Sequence, residues 1–430
     1  MNKLSKKTWT TIILFGLIGQ IAWSIENNEF NLFLFNYIGG STSDIAKMVS
    51  YSAIAATITT LIMGTISDKV GYRKLFLCIG YILWGISTLA FAFISRDNIA
   101  KFVASEKVLS VASSLVVIMD CVMTFFGSTA NDASFNSWVT ENTDETNRTK
   151  VEGILNTFPL ISMLLVAGAS NIIIELTGWS IYFIAIGLIV IICGIAGLFF
   201  VEDSKEIYSE NEGFMNSLLY GFKPSVIKEN KYFYLSLIAL CIFNIATQIY
   251  MPYLLIYLNK TLGYDVLTYS IVMATVILIA CVIAVILGNK IDQIGREKAM
   301  YISIAIYALG LFLVFFISSP VLFTIIGSIM MIGFVLISII LMSTIRDYTP
   351  IKHIGNFQGI RLLMYVLVPM IIGPNIGDFL INKLSNGTYI NDYNEIVNLP
   401  VKHIFLVAAI ISLLIYIPCK KLFKSKQKSH

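Results

Sequence analysis

Long runs of uncharged, mostly apolar residues recur along the whole chain and are separated by short polar segments. A helix needs about 20 apolar residues to cross the hydrocarbon core of a bilayer, and the runs are of that order. Strands of a membrane barrel would be about ten residues long and would alternate apolar with polar positions, which these runs do not. The pattern therefore predicts an all-α membrane protein with twelve transmembrane helices. The predicted helices cover residues 8–38, 48–67, 75–95, 108–131, 153–174, 176–201, 232–259, 266–289, two helices within 299–345 that part at the turn 318–320, 354–377 and 404–419.

The composition excludes a water-soluble protein. Of the 430 residues, 57% are hydrophobic and 13% are charged, whereas a soluble domain has roughly 25% charged residues. A chain so rich in Ile, Leu, Val and Phe is not disordered either. The net charge of +4 is spread along the chain, so no nucleic-acid partner is indicated. The six cysteines lie in apolar runs without C-x-x-C spacing, which predicts neither disulfides nor a zinc site.

The distribution of Lys and Arg predicts the orientation in the membrane, because cytoplasmic loops carry an excess of these residues. If the N-terminus is cytoplasmic, 23 of the 30 basic residues lie in cytoplasmic segments and 7 lie outside. We therefore expect a multi-pass protein of the plasma membrane, surrounded by the lipid bilayer, with both termini in the cytoplasm.

A charged stretch between the sixth and seventh predicted helices divides the chain into two halves. We predict an N-terminal six-helix bundle over residues 1–201, a cytoplasmic central loop over 202–231 and a C-terminal six-helix bundle over 232–430. An internal repeat matches this division. The residues Gly64, Asp68, Gly71 and Lys74 after the second helix recur 224 positions later, after the eighth helix, as Gly288, Asp292, Gly295 and Lys298.

Each copy of the repeated loop also carries an arginine, Arg73 in the first and Arg296 in the second. An acid at a helix end can accept hydrogen bonds from the N-terminus of a neighbouring helix, and the basic residues can hold carboxylates on the other bundle. The loops are therefore predicted to form a cytoplasmic gate that is shut in one state. The alternative is that they hold ordinary cytoplasmic basic residues.

The first of these loops resembles a known signature. Its sequence, Gly64-Thr-Ile-Ser-Asp68-Lys-Val-Gly71-Tyr72-Arg73-Lys, is similar to the G-x-x-x-D-[RK]-x-G-R-[RK] pattern of the major facilitator superfamily, with Tyr72 where Arg is usual. The resemblance extends over the chain, since the helix count, the central loop and both loop copies fit the same family. It implies two pseudo-symmetric six-helix bundles around a central cavity, in a secondary transporter that works by alternating access.

Acidic residues of the first half are predicted at bilayer depth, where ionisable groups are costly and usually face a cavity. Glu26 and Glu29 share one face of the first helix, and Asp120 lies in the fourth. At about 1.5 Å per residue, Glu26 and Asp120 lie close to the midplane, and the resemblance implies that both helices line the cavity. Two neighbouring carboxyl groups away from water do not both ionise readily, so these residues are candidates for proton coupling. The alternatives are a water-facing outer end for the glutamates and a structural hydrogen bond for Asp120.

Further polar and aromatic residues are candidates for the wall of a substrate cavity, because amides and indole rings can bind hydroxyl groups and sugar rings. Hydrogen bonding between helices, or simple packing, is the alternative for each of them. The candidates are Trp23, Asn27, Asn131 and Asp132 in the first half and Asn244, Gln248 and Tyr250 in the second.

These features favour a cation-coupled importer of a small polar solute such as a sugar or glycoside. Carboxyl groups in the first half suit coupling to H⁺ or Na⁺, and neutral amides in the second suit an uncharged substrate. A drug/proton antiporter is the alternative, although such families usually carry an Arg in the fourth helix and a G-P-x-x-G-G element in the fifth, which this chain lacks. A membrane enzyme or a receptor is disfavoured because no G-x-S-x-G, P-loop or His-rich motif is present. We therefore expect a monomer without catalytic residues, metal or cofactor.

Overall fold

The computed structural model describes residues 4–143, 151, 154–155, 157–203, 222–349, 357, 360–385, 387–390 and 396–424. Within these residues, twelve helices are long and apolar enough to cross a membrane, which confirms the predicted number. The spanning helices are α1 (Lys6–Ile38), α2 (Thr42–Gly64), α3 (Arg73–Phe93), α4 (Ser105–Glu141), α5 (Phe158–Thr177), α6 (Trp179–Phe200), α7 (Lys231–Thr261), α8 (Val266–Ile283), α9 (Arg296–Val314), α10 (Pro320–Ile345), α11 (Ile360–Leu384) and α12 (His403–Phe423).

Three helices continue beyond the apolar span, so that their polar ends project from it. The full helices containing α2, α8 and α10 are Thr42–Val70, Val266–Ile294 and Pro320–Tyr348. Short helices at Arg96–Ala100 and Pro224–Glu229 precede α4 and α7.

The described residues form two compact units, one containing α1–α6 and the other α7–α12. The chain passes from one unit to the other within residues 204–221, which lie outside the described part, so the limits proposed for the central loop stay a prediction. Each unit is a bundle of six helices, as the fold class required.

Close helix contacts within the first unit depend on small residues. A side chain at Gly187 of α6 would approach the carbonyl oxygen of Gly85 in α3 to 2.7 Å. Without side chains at these positions the two backbones can touch, as is common between membrane helices. The indole ring of Trp84, the residue before Gly85, is fully buried and lies 4.9 Å from the ring of Trp23 on α1.

Several spanning helices contain a π-helical segment, in which one residue more than usual is accommodated per turn. Such segments are rare in proteins and are frequent at functional sites. Those in α4 and α5 matter most here, because they adjoin polar residues that the sequence analysis selected or that contact them. The π-helical segments are Phe33–Ile38, Ser128–Phe135, Val166–Ser170, Tyr257–Thr261 and Leu363–Leu367.

A two-stranded hairpin between α11 and α12 is the one β element of the described residues. Its strands are β1 (Thr388–Ile390) and β2 (Ile396–Asn398). Lys260 at the end of α7 lies over the ring of Tyr389, 4.4 Å from its centre, and donates a hydrogen bond of 3.2 Å to its hydroxyl group. The hairpin is therefore attached to α7 by a cation–π contact.

Two glycines near the end of the helix containing α2, Gly64 and Gly71, differ in whether the backbone requires glycine. Gly71 has φ of 74°, in the left-handed region that disfavours side chains. Gly64 lies inside the helix, and a methyl group added there would have Ala133 Cβ, 4.0 Å away, as its nearest neighbour. We expect Gly71→Ala to destabilise the protein by about 1 kcal/mol and Gly64→Ala to be neutral or stabilising by up to about 1 kcal/mol. Thermal unfolding of both variants in detergent measures the difference, and equal destabilisation by the two substitutions would contradict this account.

Candidate functional site

The first six-helix unit brings two acidic side chains together. Glu26 of α1 and Asp120 of α4 are 9% and 1% exposed, and Asp120 acts electrostatically on Glu26. The hydroxyl group of Thr124 donates a hydrogen bond of 3.0 Å to Glu26 Oε1, and the side chain of Ser52 on α2 hydrogen-bonds to Asp120. Three helices therefore meet at this carboxyl pair.

Each carboxyl group of the pair has one oxygen atom without a hydrogen-bond partner among the described residues. Glu26 Oε2 and Asp120 Oδ1 are buried and have no hydrogen-bond partner within the described part of the chain. The charged groups that act on Glu26 are Asp120 and Asp132, both acidic. Two ionised carboxylates are costly in such surroundings. A proton on one of them, or a small cation between them, would remove that cost.

Glu29 forms a separate buried site three residues further along α1. It is 0% exposed, so the water-facing alternative does not describe it. Its Oε1 atom accepts a hydrogen bond of 3.1 Å from Asn171 Nδ2 on α5, and its Oε2 atom has no partner among the described residues. Asn171 directly follows the π-helical segment of α5, which ends at Ser170. A role for Glu29 in coupling stays a prediction.

A fully hydrogen-bonded network lies one turn from the carboxyl pair and joins three helices. Trp23 Nε1 of α1 donates to Asn131 Oδ1 of α4 over 3.4 Å. Asn131 Nδ2 donates to the hydroxyl oxygen of Tyr81 on α3 over 2.7 Å, and that hydroxyl group donates to the carbonyl oxygen of Phe15 over 2.6 Å. Since Asn131 and Trp23 both take part, they fix α1 against α4 near Glu26.

The remaining candidates of the first half differ in exposure. Asn27 is exposed and donates to the carbonyl oxygen of Trp23 over 2.8 Å, so its amide is engaged on its own helix. Asp132 is half-buried and accepts a hydrogen bond of 2.9 Å from Ser128 Oγ. The sequence analysis did not select Thr124 or Ser128. Thr124 follows Asp120 by four residues and Ser128 follows Thr124 by four, and this spacing is the signal that could have identified them.

A groove of about 820 Å³ runs along the same unit between α2 and α4. Polar side chains line one end of it, including the ion pair of Lys47 with Asp44 at 3.3 Å. Phe125 and Phe126 lie towards the other end, and Cys121, the neighbour of Asp120 in sequence, lies between. Neither Glu26 nor Asp120 belongs to the lining of this groove.

The second half contributes fewer polar groups. Asn244 and Gln248 of α7 are half-buried, and Asn244 Nδ2 has no partner within the described residues. Tyr250 is 1% exposed, with its hydroxyl group 3.3 Å from that of Tyr307 and its ring 5.5 Å from Phe405. Tyr250 is thus packed among the helices of its own unit, and we leave it out of the proposed substrate contacts.

The predicted gate has its best-defined contacts at Arg73. This side chain is 8% exposed and forms an ion pair of 2.9 Å with Glu141 at the end of α4. It also donates to Ser67 Oγ over 2.6 Å. We expected carboxylates of the other bundle as partners, but Glu141 belongs to the same unit. The backbone N–H of Lys74 donates to Asp203 Oδ1 over 2.7 Å, a second acid that the sequence did not single out.

The second copy of the loop shows the same kind of pair. Arg296 forms an ion pair with Asp347, which follows α10 as Glu141 ends α4, but this pair is more exposed. Gly295 also has a positive φ, 89° against 74° for Gly71, but its ψ of 128° differs from the 2° of Gly71. Lys298 is exposed. The side chains of Asp68 and Asp292, and the surroundings of Gly288, lie outside the described part, so their role in the gate stays a prediction.

Groups of three or more His, Cys, Asp or Glu side chains that could hold a metal ion are not found among the described residues. The carboxyl pair and the hydroxyl groups of Thr124 and Ser52 offer oxygen atoms only, and the binding of a proton or a small cation there stays a prediction. The candidate substrate contacts Trp23, Asn244 and Gln248 supply an aromatic ring and neutral amides.

Comparisons with known proteins bear on the whole chain. The profile of the family described as Major Facilitator Superfamily matches residues 12–374 and 237–428. No curated protein matches the sequence.

Solved structures similar to the chain are transporters. The crystal structure of the nucleoside transporter NupG is 15% identical, with a TM-score of 0.69, and the match covers 98% of this chain and 100% of that one. A bacterial homologue of the human lysosomal transporter Spinster, inward-facing and occupied, is 12% identical, with a TM-score of 0.68, and the match covers 97% and 96% of the two chains. At these identities the likeness shows the fold.

The two ion pairs of the gate loops allow a matched comparison. Removing one partner of a buried pair costs about 3–5 kcal/mol, because the other charge stays behind without it, whereas an exposed pair contributes about 0–1 kcal/mol. We therefore expect Glu141→Ala to lower the thermal unfolding temperature in detergent much more than Asp347→Ala does. Equal shifts for the two variants would show that Arg73 does not depend on Glu141.

Proposed function

The chain belongs to the major facilitator superfamily, and we propose that it imports a small, uncharged, hydroxyl-rich solute in symport with protons. Secondary transport by a protein of twelve membrane-spanning helices is what membership of this family implies. The proton, the solute class and the direction are the parts that we propose. The observation that carries the proposal is the buried pair of Glu26 and Asp120, each with an oxygen atom that lacks a partner among the described residues.

A coupling site must bind its ion in one step of the cycle and release it in another. Glu26 and Asp120 meet this requirement because neither is locked in an ion pair with a basic residue in the described part of the unit, and both are held by hydroxyl groups that can donate or accept. By contrast, Arg73 and Glu141 form a closed ion pair. One proton that crosses 100 mV supplies about 2.3 kcal/mol, enough to concentrate a neutral solute roughly fifty-fold.

The solute class follows from the neutral groups. Amides such as those of Asn244 and Gln248 bind hydroxyl groups without demanding a charge, and the indole ring of Trp23 can stack on a sugar ring. NupG, which shares the fold, is a nucleoside transporter. A nucleoside is a glycoside with free hydroxyl groups, so it falls within the class that the residues favour. We therefore propose sugars and glycosides, including nucleosides, as the substrates to test first.

The orientation is part of the same proposal. The excess of Lys and Arg in alternate segments supports cytoplasmic termini in the plasma membrane. In that orientation the gate residues Arg73 and Glu141 lie on the cytoplasmic side, at the same end of the unit as Lys7 and Glu202. The Lys7 ammonium group, 2.6 Å from Glu202, holds the pKa of that carboxyl group below its ordinary value.

A ligand screen by thermal unfolding separates this proposal from its alternative. Purified protein is heated at pH 6 and pH 8 with uridine, methyl β-D-glucopyranoside or tetraphenylphosphonium. A ligand at about a hundred times its Kd stabilises the fold by about 2.7 kcal/mol. Stabilisation by uridine or the glucoside that depends on pH supports the symporter. Stabilisation by the lipophilic cation alone overturns it in favour of a drug/proton antiporter.

Substitution of the carboxyl pair tests coupling directly. In proteoliposomes with an imposed pH gradient and membrane potential, we expect the wild-type protein to accumulate its solute. With Asp120→Asn or Glu26→Gln the accumulation should fall from as much as roughly fifty-fold to about the external concentration, because the proton no longer moves with the solute. Exchange of labelled for unlabelled solute at equal pH should persist.

Glu106→Gln is the matched control, since it removes a carboxylate from the exposed start of the same helix. It should leave accumulation unchanged. Gradient-driven accumulation that survived both Asp120→Asn and Glu26→Gln would mean that the carboxyl pair is not the coupling site.

A further inference from the structure

A polar stripe continues along one face of α4 beyond the buried pair. Asp120, Thr124, Ser128 and Asp132 recur at intervals of four residues, which places them on successive turns of one helix face. The first three are at most 1% exposed, whereas Asp132 is half-buried. The stripe therefore joins the buried carboxyl pair to a more accessible carboxyl group.

The local helix geometry keeps Asp132 in line with the others. In a regular α-helix four residues exceed one full turn, so a four-residue repeat drifts around the helix axis. The π-helical segment Ser128–Phe135 holds more residues per turn and reverses this drift. As a result Ser128 Oγ reaches Asp132 Oδ2 at 2.9 Å across that segment.

Neighbouring helices add hydrogen-bonding groups to the upper part of the stripe. Glu26 of α1 accepts the hydrogen bond of Thr124 at 3.0 Å, and Ser52 of α2 hydrogen-bonds to Asp120. Every side chain on this part of the stripe is thus tied to an ionisable group or to a hydroxyl group. None of these contacts is an ion pair that would fix the proton in place.

The lower part of the stripe faces α3 and α1. Tyr81 of α3 and Glu26 of α1 both interact electrostatically with Asp132, and Cys121 of α4 interacts with Glu26 and Asp120. These three titratable groups interact with the carboxyl groups of the stripe. None of them is basic, and Arg73, a basic residue that contacts the end of α4, is paired with Glu141.

We propose that this stripe is the path by which protons reach and leave the buried carboxyl pair, with Asp132 as its accessible end. The inference rests on the proposed function, since it gives the coupling proton a route. A proton passes from the Asp132 carboxyl group to the Ser128 hydroxyl oxygen while that hydroxyl group gives its own proton to a water molecule. The water passes a proton to Thr124, whose hydroxyl proton goes to Glu26. Each carrier gains one proton and loses one, so only O–H bonds form and break.

The test needs no solute. Purified protein in weakly buffered detergent solution is mixed with acid in a stopped-flow instrument, and the fluorescence of pyranine reports the protons that the protein takes up. Glu26→Gln combined with Asp120→Asn identifies the phase that belongs to the buried pair, because that phase disappears. With Asp132→Asn we expect the same phase to slow by about a hundredfold or more, the low end of what a positioned proton-transfer group contributes.

Serine variants supply the matched control. Ser128→Ala should slow the phase several-fold, and Ser128→Thr, which keeps the hydroxyl group, should restore it. Ser134→Ala changes the same residue type in the same π-helical segment, but the Ser134 hydroxyl group donates to the backbone of Thr129 at 2.7 Å, away from the stripe. It should leave the rate unchanged. Unfolding temperatures close to that of the wild type confirm that each variant is folded.

The possible outcomes separate this inference from the proposed function. Slowing by Asp132→Asn and Ser128→Ala, but not by Ser134→Ala, supports the path. A phase that requires Glu26 and Asp120 but keeps its rate in the Asp132 and Ser128 variants overturns the path and leaves proton coupling intact. The absence of any phase that depends on the buried pair overturns both the path and the coupling site.

Discussion

The cost of holding carboxyl groups away from water is the constraint on which the first six-helix unit depends. An ionised carboxylate in an apolar bundle is tolerated only with a counter-charge or enough hydrogen bonds. Glu26 and Asp120 receive one hydroxyl group each and retain oxygen atoms without partners among the described residues. A bound proton or small cation would satisfy those oxygen atoms, and this is why we propose the pair as the coupling site. A buried carboxyl group with a purely structural role usually has hydrogen-bond donors to both of its oxygen atoms.

Rigid contacts around the pair make this arrangement possible. The network from Trp23 through Asn131 to Tyr81 satisfies its polar groups and holds α1, α3 and α4 together one turn from Glu26. Three hydrogen bonds hold this network, whereas each acid of the pair beside it has an oxygen atom without a partner among the described residues. The hydrogen-bonded network and the carboxyl pair thus lie on the same two helices, α1 and α4.

The sequence predicted the parts of this unit that arise from local pattern. Run length was enough for the twelve helices, and helical spacing placed Glu26 and Asp120 at similar depth. The local pattern could not predict contacts between residues that are distant in sequence. The acid that binds Arg73 is Glu141, 68 positions away, and only the packing of α3 against α4 selects it from many others. The π-helical segment that contains Ser128 and Asp132 could not be predicted either, because its amino-acid composition does not distinguish it from an ordinary helix.

Tyr250 shows a different limit of sequence reasoning. A polar aromatic residue next to two amides on α7 suggested a cavity wall, but a tyrosine can also bury its ring and satisfy its hydroxyl group inside a bundle. The structure shows the second arrangement, with Tyr307 as the partner. Spacing along one helix cannot separate the two cases, because both place the residue on an inward face and they differ only in the neighbouring helix.

The internal repeat relates the two buried glutamates of the first half to two buried tyrosines of the second. The spacing of 224 residues that relates the two gate loops also relates Glu26 to Tyr250 and Glu29 to Tyr253. All four side chains are buried, at 9% exposure or less. The tyrosines find neutral partners inside their own unit, whereas each glutamate keeps an oxygen without one among the described residues. At the same helix positions, the polar atoms of the second half are hydrogen-bonded, whereas each glutamate of the first half has one carboxyl oxygen without a partner among the described residues. Because a bound proton would satisfy the oxygen atoms that lack partners, this difference supports our proposal that coupling belongs to the first half and neutral contacts with the solute to the second.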